Sequence, residues 1–247
     1  MKMADHIFEL YCNICGKTSK PSRGRENTPN DYLCVHCKSS IRYRSQAKAI
    51  MSVYGQGRFL SLSDAIKSPD FKKLKILEVA IKGSLVRVLS KSPNYQQAYF
   101  WDNVQPGNAR QGIRCEDLQS LTYPDGSFDL VITTEVMEHV ADPTKAFREI
   151  HRVLRPGGSY IFTIPVRVPM RPQTKTRAIE NSDGEVQHVE PPHYHISGIG
   201  DPSLVYTDFG FSLFSELRKQ GFLPLFIQSD TWSKQTSKFG TFCAIRI

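Results

Sequence analysis

Four cysteines carry the densest chemistry in this chain of 247 residues: Cys12, Cys15, Cys34 and Cys37. They read C-N-I-C, eighteen intervening residues beginning with Gly16, then C-V-H-C. Two C-x2-C pairs at this separation match the four-thiolate zinc pattern. Two residues between thiolates allow a tight turn that points both sulfurs at one ion, and Gly16 can take the positive φ such a turn needs. The second pair closes the tetrahedron. A disulfide framework fits poorly with a chain whose first dozen residues, MKMADHIFELYC, lack the apolar core of an export signal. Zn2+ on the four sulfurs is therefore expected, and His36, inside the second pair, is not expected to replace one of them. Cys115 and Cys243 stand alone in apolar surroundings and are expected to be buried small side chains.

A second group able to do chemistry is His193 and His195 in EPPHYHISG. Two positions apart, they share one side of an extended segment. Pro191 and Pro192 stiffen the approach. An imidazole titrating near neutral pH on the side of an acceptor could take a proton from its hydroxyl. The alternative is that the pair hydrogen-bonds backbone in an irregular loop.

Charge divides the chain. The formal net charge is +8, with 32 Lys+Arg against 24 Asp+Glu. Residues 1–75 hold 14 basic and 6 acidic side chains, and the remainder holds 18 of each, so the whole excess lies in the first third. That is the pattern of a segment meeting an anionic partner such as nucleic acid, or of lysines (Lys72, Lys73, Lys75) solvating a linker. An aromatic platform for single strands is lacking: Tyr32 and Tyr43 are the nearby rings, and both are expected to pack against the cysteine module. Hydrophobic residues at 40% and charged residues at 23% exclude global disorder. No apolar run reaches ~18–20 residues, so no membrane insertion is expected, and a cytoplasmic location follows from the missing export signal. Nothing in the sequence sets the oligomeric state.

These residues need a framework, and the hydrophobic pattern supplies one. Three segments are expected: a zinc-ribbon module at 1–45, a helical linker at 46–73, and an α/β domain at 74–247. Residues 17–30 are a polar loop, and SSIRYRSQAKAIMSVYG reads as a helix opened by Ser39 or Ser40 and closed by Gly55, with Arg42, Arg44 and Lys48 on related faces. From Leu74, strand-like and helix-like segments alternate, the signature of a mostly parallel sheet. Strands are expected at 74–79, 95–101, within GIRCEDL, at 127–134 and in SYIFTIPV. A helix is expected over EVMEHVADPTKAFREIHRVL, restarted by Asp142-Pro143. Residues 165–208 read as a long irregular insertion, FGFSLFSELRKQGF as the last helix, and FLPLFIQS and GTFCAIRI as two terminal strands.

The stretch EDLQSLTYPDGSFDLVITTEVMEHVADPTKAFREIHRVLRPGGSYIFTIP closely resembles class I S-adenosylmethionine-dependent methyltransferases of the type 11-like group. The resemblance covers roughly 74–247 and is strongest over 112–165. It implies a Rossmann-like sheet of seven strands, the last antiparallel, and S-adenosyl-L-methionine as cofactor. Glu78, Ala80 and Gly83 then stand in the first cofactor loop. Ala80, Lys82 and Ser84 occupy places where the family has glycines, and Lys82 brings a cation towards a sulfonium unless it turns to solvent. Asp102 falls near the carboxylate that holds the ribose hydroxyls, or is a loop aspartate opening a turn. Asp117, with the Leu118 backbone beside it, falls where the family accepts a hydrogen bond from the adenine amino group; a helix cap is the other reading. Thr134 and Glu135 end the fourth strand at the ligand edge, and His139 follows either as a packed histidine or as a contact to the cofactor.

What this implies is methyl transfer, with positioning in line with the methyl group as the main task of the protein. A zinc ribbon followed by Cys-x-x-Cys-x-Ser-x-x-Arg-x-Arg, and a Tyr-His segment before Tyr-Thr-Asp-Phe-Gly, is similar to bacterial methyltransferases associated with glycan or secondary-metabolite assembly. That favours a hydroxyl of a small molecule or saccharide as acceptor, with His195, then His193 and His139, as catalytic candidates. Two rivals stand beside it: a zinc-ribbon-guided RNA or DNA methyltransferase or binding protein, and an inactive scaffold with the methyltransferase fold.

Overall fold

The computed structural model describes residues 9–20, 22, 32–166, 169–228 and 240–247. Most of the loop expected at 17–30 lies outside the described residues. The chain divides into two compact units: residues 1–72, 83–92 and 227–241 form one, and residues 73–82, 93–226 and 242–247 the other.

In the first unit, β1 (Leu10–Tyr11) and β2 (Thr18–Ser19) pair antiparallel on either side of the first cysteine turn. Helix α1 (Ile41–Tyr54) starts after Ser40 and ends at Gly55, as its sequence signals dictate. Arg44 differs in burial from Arg42 and Lys48, which are half-buried. It is buried with Ile41, Ala47 and Ile50, and its guanidinium donates to the carbonyls of Ser39 at 2.5 Å and Tyr32 at 2.9 Å. A buried cation needs such acceptors, so Arg44 fixes the chain around the second cysteine pair. Two short helices follow, α2 (Leu62–Ala65) and α3 (Pro69–Lys73). The Ser61 hydroxyl caps α2 by accepting from the Asp64 amide at 3.3 Å. Helix α4 (Ser84–Leu89) also belongs to this unit.

The second unit is built on a sheet. Strand β3 (Ile76–Val79) is buried at every position, as expected of an apolar run covered on both faces. It is followed by β4 (Tyr95–Tyr99), β5 (Ala109–Arg110), β6 (Ile113–Cys115) and β7 (Phe128–Thr134). The helix expected from residue 135 onwards is broken. Met137–His139 forms a single 3-10 turn, Val140 is extended, and α5 (Pro143–Val153) begins afresh. Proline disfavours helical backbone at the residue before it, and Asp142, at φ −120° and ψ 89°, caps the new helix by accepting from the Lys145 amide at 3.1 Å. Strand β8 (Leu154–Thr163) absorbs the Arg155-Pro156-Gly157-Gly158 segment through a register shift opposite Phe128/Leu130. A Cβ on Gly158 would lie 2.9 Å from the Arg155 carbonyl oxygen and 3.0 Å from that of Asp129, so only glycine fits there.

The insertion is not irregular. It consists of short antiparallel pairings: β9 (Lys175–Thr176) with β14 (Thr207–Asp208), β10 (Ala178–Glu180) with β11 (Val186–His188), and β12 (Tyr194–Ile196) with β13 (Pro202–Leu204). Helix α6 (Leu213–Lys219) and strands β15 (Phe222–Gln228) and β16 (Gly240–Arg246) complete the chain.

The central sheet has eight strands in the order β15-β16-β8-β7-β3-β4-β6-β5. Strands β8, β7, β3, β4 and β6 run parallel, and β16 is antiparallel to β8. The α/β fold implied by the resemblance is therefore present, with the short antiparallel β5 as an eighth strand beside the expected seven. Its core gathers Leu77, Val131, Phe147, Ile150, Tyr160, Phe162 and Phe242, each under 2% exposed. Burial of an aliphatic or aromatic side chain of this kind contributes roughly 1.5–3 kcal/mol. Among the described residues no helix is long and apolar enough to cross a membrane.

Candidate functional site

The two cysteine turns are built alike. The Gly16 amide donates to the Cys12 carbonyl at 2.8 Å and the Lys38 amide to the Cys34 carbonyl at 2.8 Å. Both residues take positive φ, 73° at Gly16 and 57° at Lys38. Sequence reading identified the first and missed the second, because a lysine gives no signal for that conformation. The four sulfurs all lie within 4.8 Å of one another, with Cys12–Cys37 at 3.6 Å and Cys15–Cys34 at 3.7 Å. Tetrahedral zinc with sulfurs at about 2.3 Å requires S···S separations of about 3.8 Å, so the cluster has the dimensions of a four-thiolate site. The Ser39 hydroxyl lies 3.2 Å from both Cys12 and Cys37 Sγ. A hydrogen bond from Cys37 pushes the Cys12 thiol down to about 4, while burial pushes Cys15 up to about 11. Arg87 and Ser84 of α4 both donate to the Cys37 carbonyl, and the Leu62 and Ser63 amides to the carbonyls of Asn13 and Ile14. His36 is exposed and stands outside the cluster.

In the second unit, parallel registry brings the carboxyl ends of β3, β4, β6 and β7 to one edge of the sheet, where open α/β sheets bind ligands. Glu78 near the end of β3 is fully buried. Its Oε2 accepts from the Tyr95 hydroxyl at 2.9 Å, while Oε1 has no hydrogen-bond partner among the described residues. Burial raises its carboxyl to about 8, against the opposing pull of the Tyr95 bond. Gln97 holds the following loop by donating to the carbonyls of Ala80 at 2.7 Å and Ile81 at 3.0 Å. Lys82 is exposed, so its charge turns to solvent. Gly83 belongs to the first unit, where a Cβ would come 2.8 Å from the Tyr43 hydroxyl. Tyr43 thus packs on Gly83, a contact not expected for it.

Asp102 is exposed. Asp117 is half-buried, and its Oδ1 accepts from the Gln119 amide at 2.8 Å. It opens a turn closed by the Ser120 amide on the Asp117 carbonyl at 3.0 Å, not a helix. Leu118 beside it is buried. At the end of β7, the Thr133 hydroxyl bonds Tyr160 Oη at 2.6 Å. Thr134 is the last strand residue, and Glu135 takes φ 53° with its amide on the Thr163 carbonyl. A non-glycine residue held there stores backbone strain of order 1–3 kcal/mol, and such residues cluster at functional sites.

The 3-10 turn after β7 meets the insertion. The Tyr206 amide donates to the Glu138 carbonyl at 2.8 Å, and His139 Nδ1 lies 2.8 Å from the Leu204 carbonyl. Those bonds bring all three histidine candidates together. The His139 and His195 rings meet edge to face at 5.1 Å, as do those of His193 and His195. Glu138, which sequence reading passed over, lies among them: His139 Nε2 and His195 Nδ1 are each 3.7 Å from its Oε1. Its side chain is 1% exposed, and neither carboxylate oxygen has a hydrogen-bond partner among the described residues. The Glu138-His139 dipeptide was the available signal; burial of the carboxylate was not readable from it.

Comparison with known proteins finds likeness over parts of the chain. Residues 85–162 match the family model described as a methyltransferase domain. A probable S-adenosylmethionine-dependent methyltransferase of Mycolicibacterium smegmatis is 39% identical over 74 residues, which is 30% of this chain and 29% of that protein. Norajmaline N-methyltransferase of Rauvolfia serpentina is 49% identical over 46 residues, 19% of this chain and 16% of that protein. The chain thus spans less than a third of the length of these relatives. Among solved structures, an S-adenosylmethionine-dependent methyltransferase from Mesorhizobium loti is similar at TM-score 0.46 and 17% identity, covering 74% of this chain and 96% of that one. An amino pentose methyltransferase from Micromonospora echinaspora, bound to its cofactor, is similar at TM-score 0.46 and 12% identity, covering 80% and 97%.

Proposed function

We propose that this protein transfers a methyl group from S-adenosyl-L-methionine to a hydroxyl of a small molecule or saccharide. The observation that carries the reading is the unpartnered, fully buried Oε1 of Glu78 at the ligand edge of a parallel sheet, within a chain whose residues 85–162 match a methyltransferase domain. A buried acceptor without a donor is rare and costs about 1–3 kcal/mol. A cofactor that offers N–H donors fits it. Residues we assign to holding that cofactor are Glu78, the backbone around Ala80 and Leu118, Asp102 for the ribose hydroxyls, Asp117 for the adenine amino group, and Thr134 and Glu135 at the end of β7. Gly83 completes the loop in sequence, although its lack of a side chain is already required by Tyr43.

The cofactor supplies an electrophilic methyl group on a sulfonium. What the chain must add is alignment of the acceptor, worth ~7–11 kcal/mol when the geometry is right. The insertion supplies the wall for it, pinned at Glu138 and His139 by the Tyr206 and Leu204 backbone. We assign His195 to the acceptor hydroxyl because its side chain, 33% exposed, is reachable, while Glu138 beneath it is closed to solvent. Zn2+ on Cys12, Cys15, Cys34 and Cys37 holds the first unit together, a structural role in which four thiolates leave no open position. Calorimetry with S-adenosylmethionine, followed by mass spectrometry of acceptors that gain one methyl group, tests this reading.

A further inference from the structure

Glu138, His139 and His195 do more than lie close. We propose that they form a binding site for a divalent first-row transition cation, separate from the cysteine cluster. The inference rests on the methyltransferase reading only for its purpose, not for its geometry. Three ligand atoms, Glu138 Oε1, His139 Nε2 and His195 Nδ1, all lie within 4.8 Å of one another. Both nitrogens stand 3.7 Å from the carboxylate oxygen, beyond hydrogen-bond reach but near the spacing of ligands that share one ion at about 2.1 Å.

Two further observations point to a cation. A carboxylate 1% exposed, with neither oxygen hydrogen-bonded among the described residues, is costly to bury, and a bound cation is one of the ways proteins meet that cost. The other is the second contact of His139. Its Nδ1 is 2.8 Å from the Leu204 carbonyl, an oxygen that can only accept, so the Nδ1 side of the ring is held by backbone and Nε2 is left facing Glu138. Metal-ligating histidines are held in this manner, with the far ring nitrogen donating to a backbone carbonyl. The two imidazoles favour a transition cation over Mg2+ or Ca2+, which take oxygen ligands. Two histidines and one carboxylate leave open positions, and the half-buried His195 marks the side from which an oxygen ligand enters. An acceptor hydroxyl bound there becomes more acidic through ligation.

The test uses the untagged full chain with its zinc in place, and Mn2+ as probe, since thiolates compete poorly for it. Loss of the free Mn2+ resonance signal reads binding. We expect one saturable Mn2+ per chain beyond the zinc. Glu138→Gln, close to isosteric, and His195→Ala, at a part-exposed position, should each weaken binding by at least about 10–100-fold. His188→Ala, at an exposed position on β11, should leave it unchanged. Absence of saturable binding in the wild type, or equal binding in the Glu138 and His195 variants with circular dichroism intact, overturns the proposal. Cofactor calorimetry on the same samples keeps the two readings apart: Mn2+ uptake without cofactor binding contradicts only the methyltransferase assignment, and the reverse result contradicts only the cation site.

Discussion

The cysteine cluster and the Glu138–His139–His195 cluster both bring ligand atoms within 4.8 Å, yet the chain reaches them by different routes. The sulfurs come from two copies of one local device, a C-x2-C turn closed by a positive-φ residue, and spacing alone predicts that they converge. The second cluster joins adjacent residues of a 3-10 turn to a histidine from a distant hairpin, held by the Tyr206–Glu138 and His139–Leu204 contacts. Local devices announce themselves in sequence; sites made by tertiary contacts announce only some of their members. Stability should divide the same way. On the proposed reading the cysteine cluster should act as a folding element, whereas loss of the second cluster should leave the central sheet folded.

The largest effect expected is therefore at the cysteines. Replacing Cys34 by serine should remove zinc and with it ~10–16 kcal/mol of apparent binding energy, which for so small a module is folding energy. Hydrogen exchange should show the cysteine module unprotected and the central sheet still protected, with elemental analysis showing the metal gone. Full zinc content and an intact module would break the comparison from one side. His195→Ala attacks the other side. It should leave the sheet folded and cofactor affinity unchanged, while turnover of a hydroxyl acceptor falls by ~10²–10⁴-fold. Activity within a few fold of wild type would remove His195 from the chemistry.

How much of this was legible varies with the kind of signal. Strands β3 and β7 are mostly apolar runs, α5 has an aspartate cap and a first-turn proline, and α1 has Ser40 and Gly55 at its ends, so all were readable. The hairpins of residues 175–208 were not. They are short, and Ile179, Val186, Tyr194 and Ile196 are exposed on them, so no alternation of inward and outward residues marks them as strands. The burial of Arg44 is not readable from sequence, because a basic residue on a helix ordinarily faces water and only tertiary acceptors overrule that. Glu138 was overlooked for the converse reason: nothing in its neighbours discloses a carboxylate closed to solvent.

Glu78 gives a subtler test of burial. Its carboxyl is raised to about 8 from an ordinary 4.5, so the folded protein holds a proton that the unfolded chain gives up earlier. Stability from this group is fully present below about pH 4.5 and is lost as pH rises through about 8. Thermal melts without cofactor should show that decline, on the order of a few kcal/mol, and Glu78→Gln should flatten it. An unchanged slope would mean that Glu78 is ionised and paired in the folded state. Smaller again is Asp117→Asn, which keeps an oxygen for the Gln119 amide but loses the charged acceptor. Cofactor affinity should fall by about 1.5–3 kcal/mol with no change in melting temperature.

Titration of the zinc-loaded wild-type chain with S-adenosylmethionine in a calorimeter tests the central claim most directly. One cofactor per chain with a micromolar dissociation constant is the result predicted, despite Ala80, Lys82 and Ser84 in the loop after β3, because Lys82 faces solvent and the remaining sheet edge is intact. No heat of binding up to millimolar cofactor would contradict it and leave the fold as a scaffold.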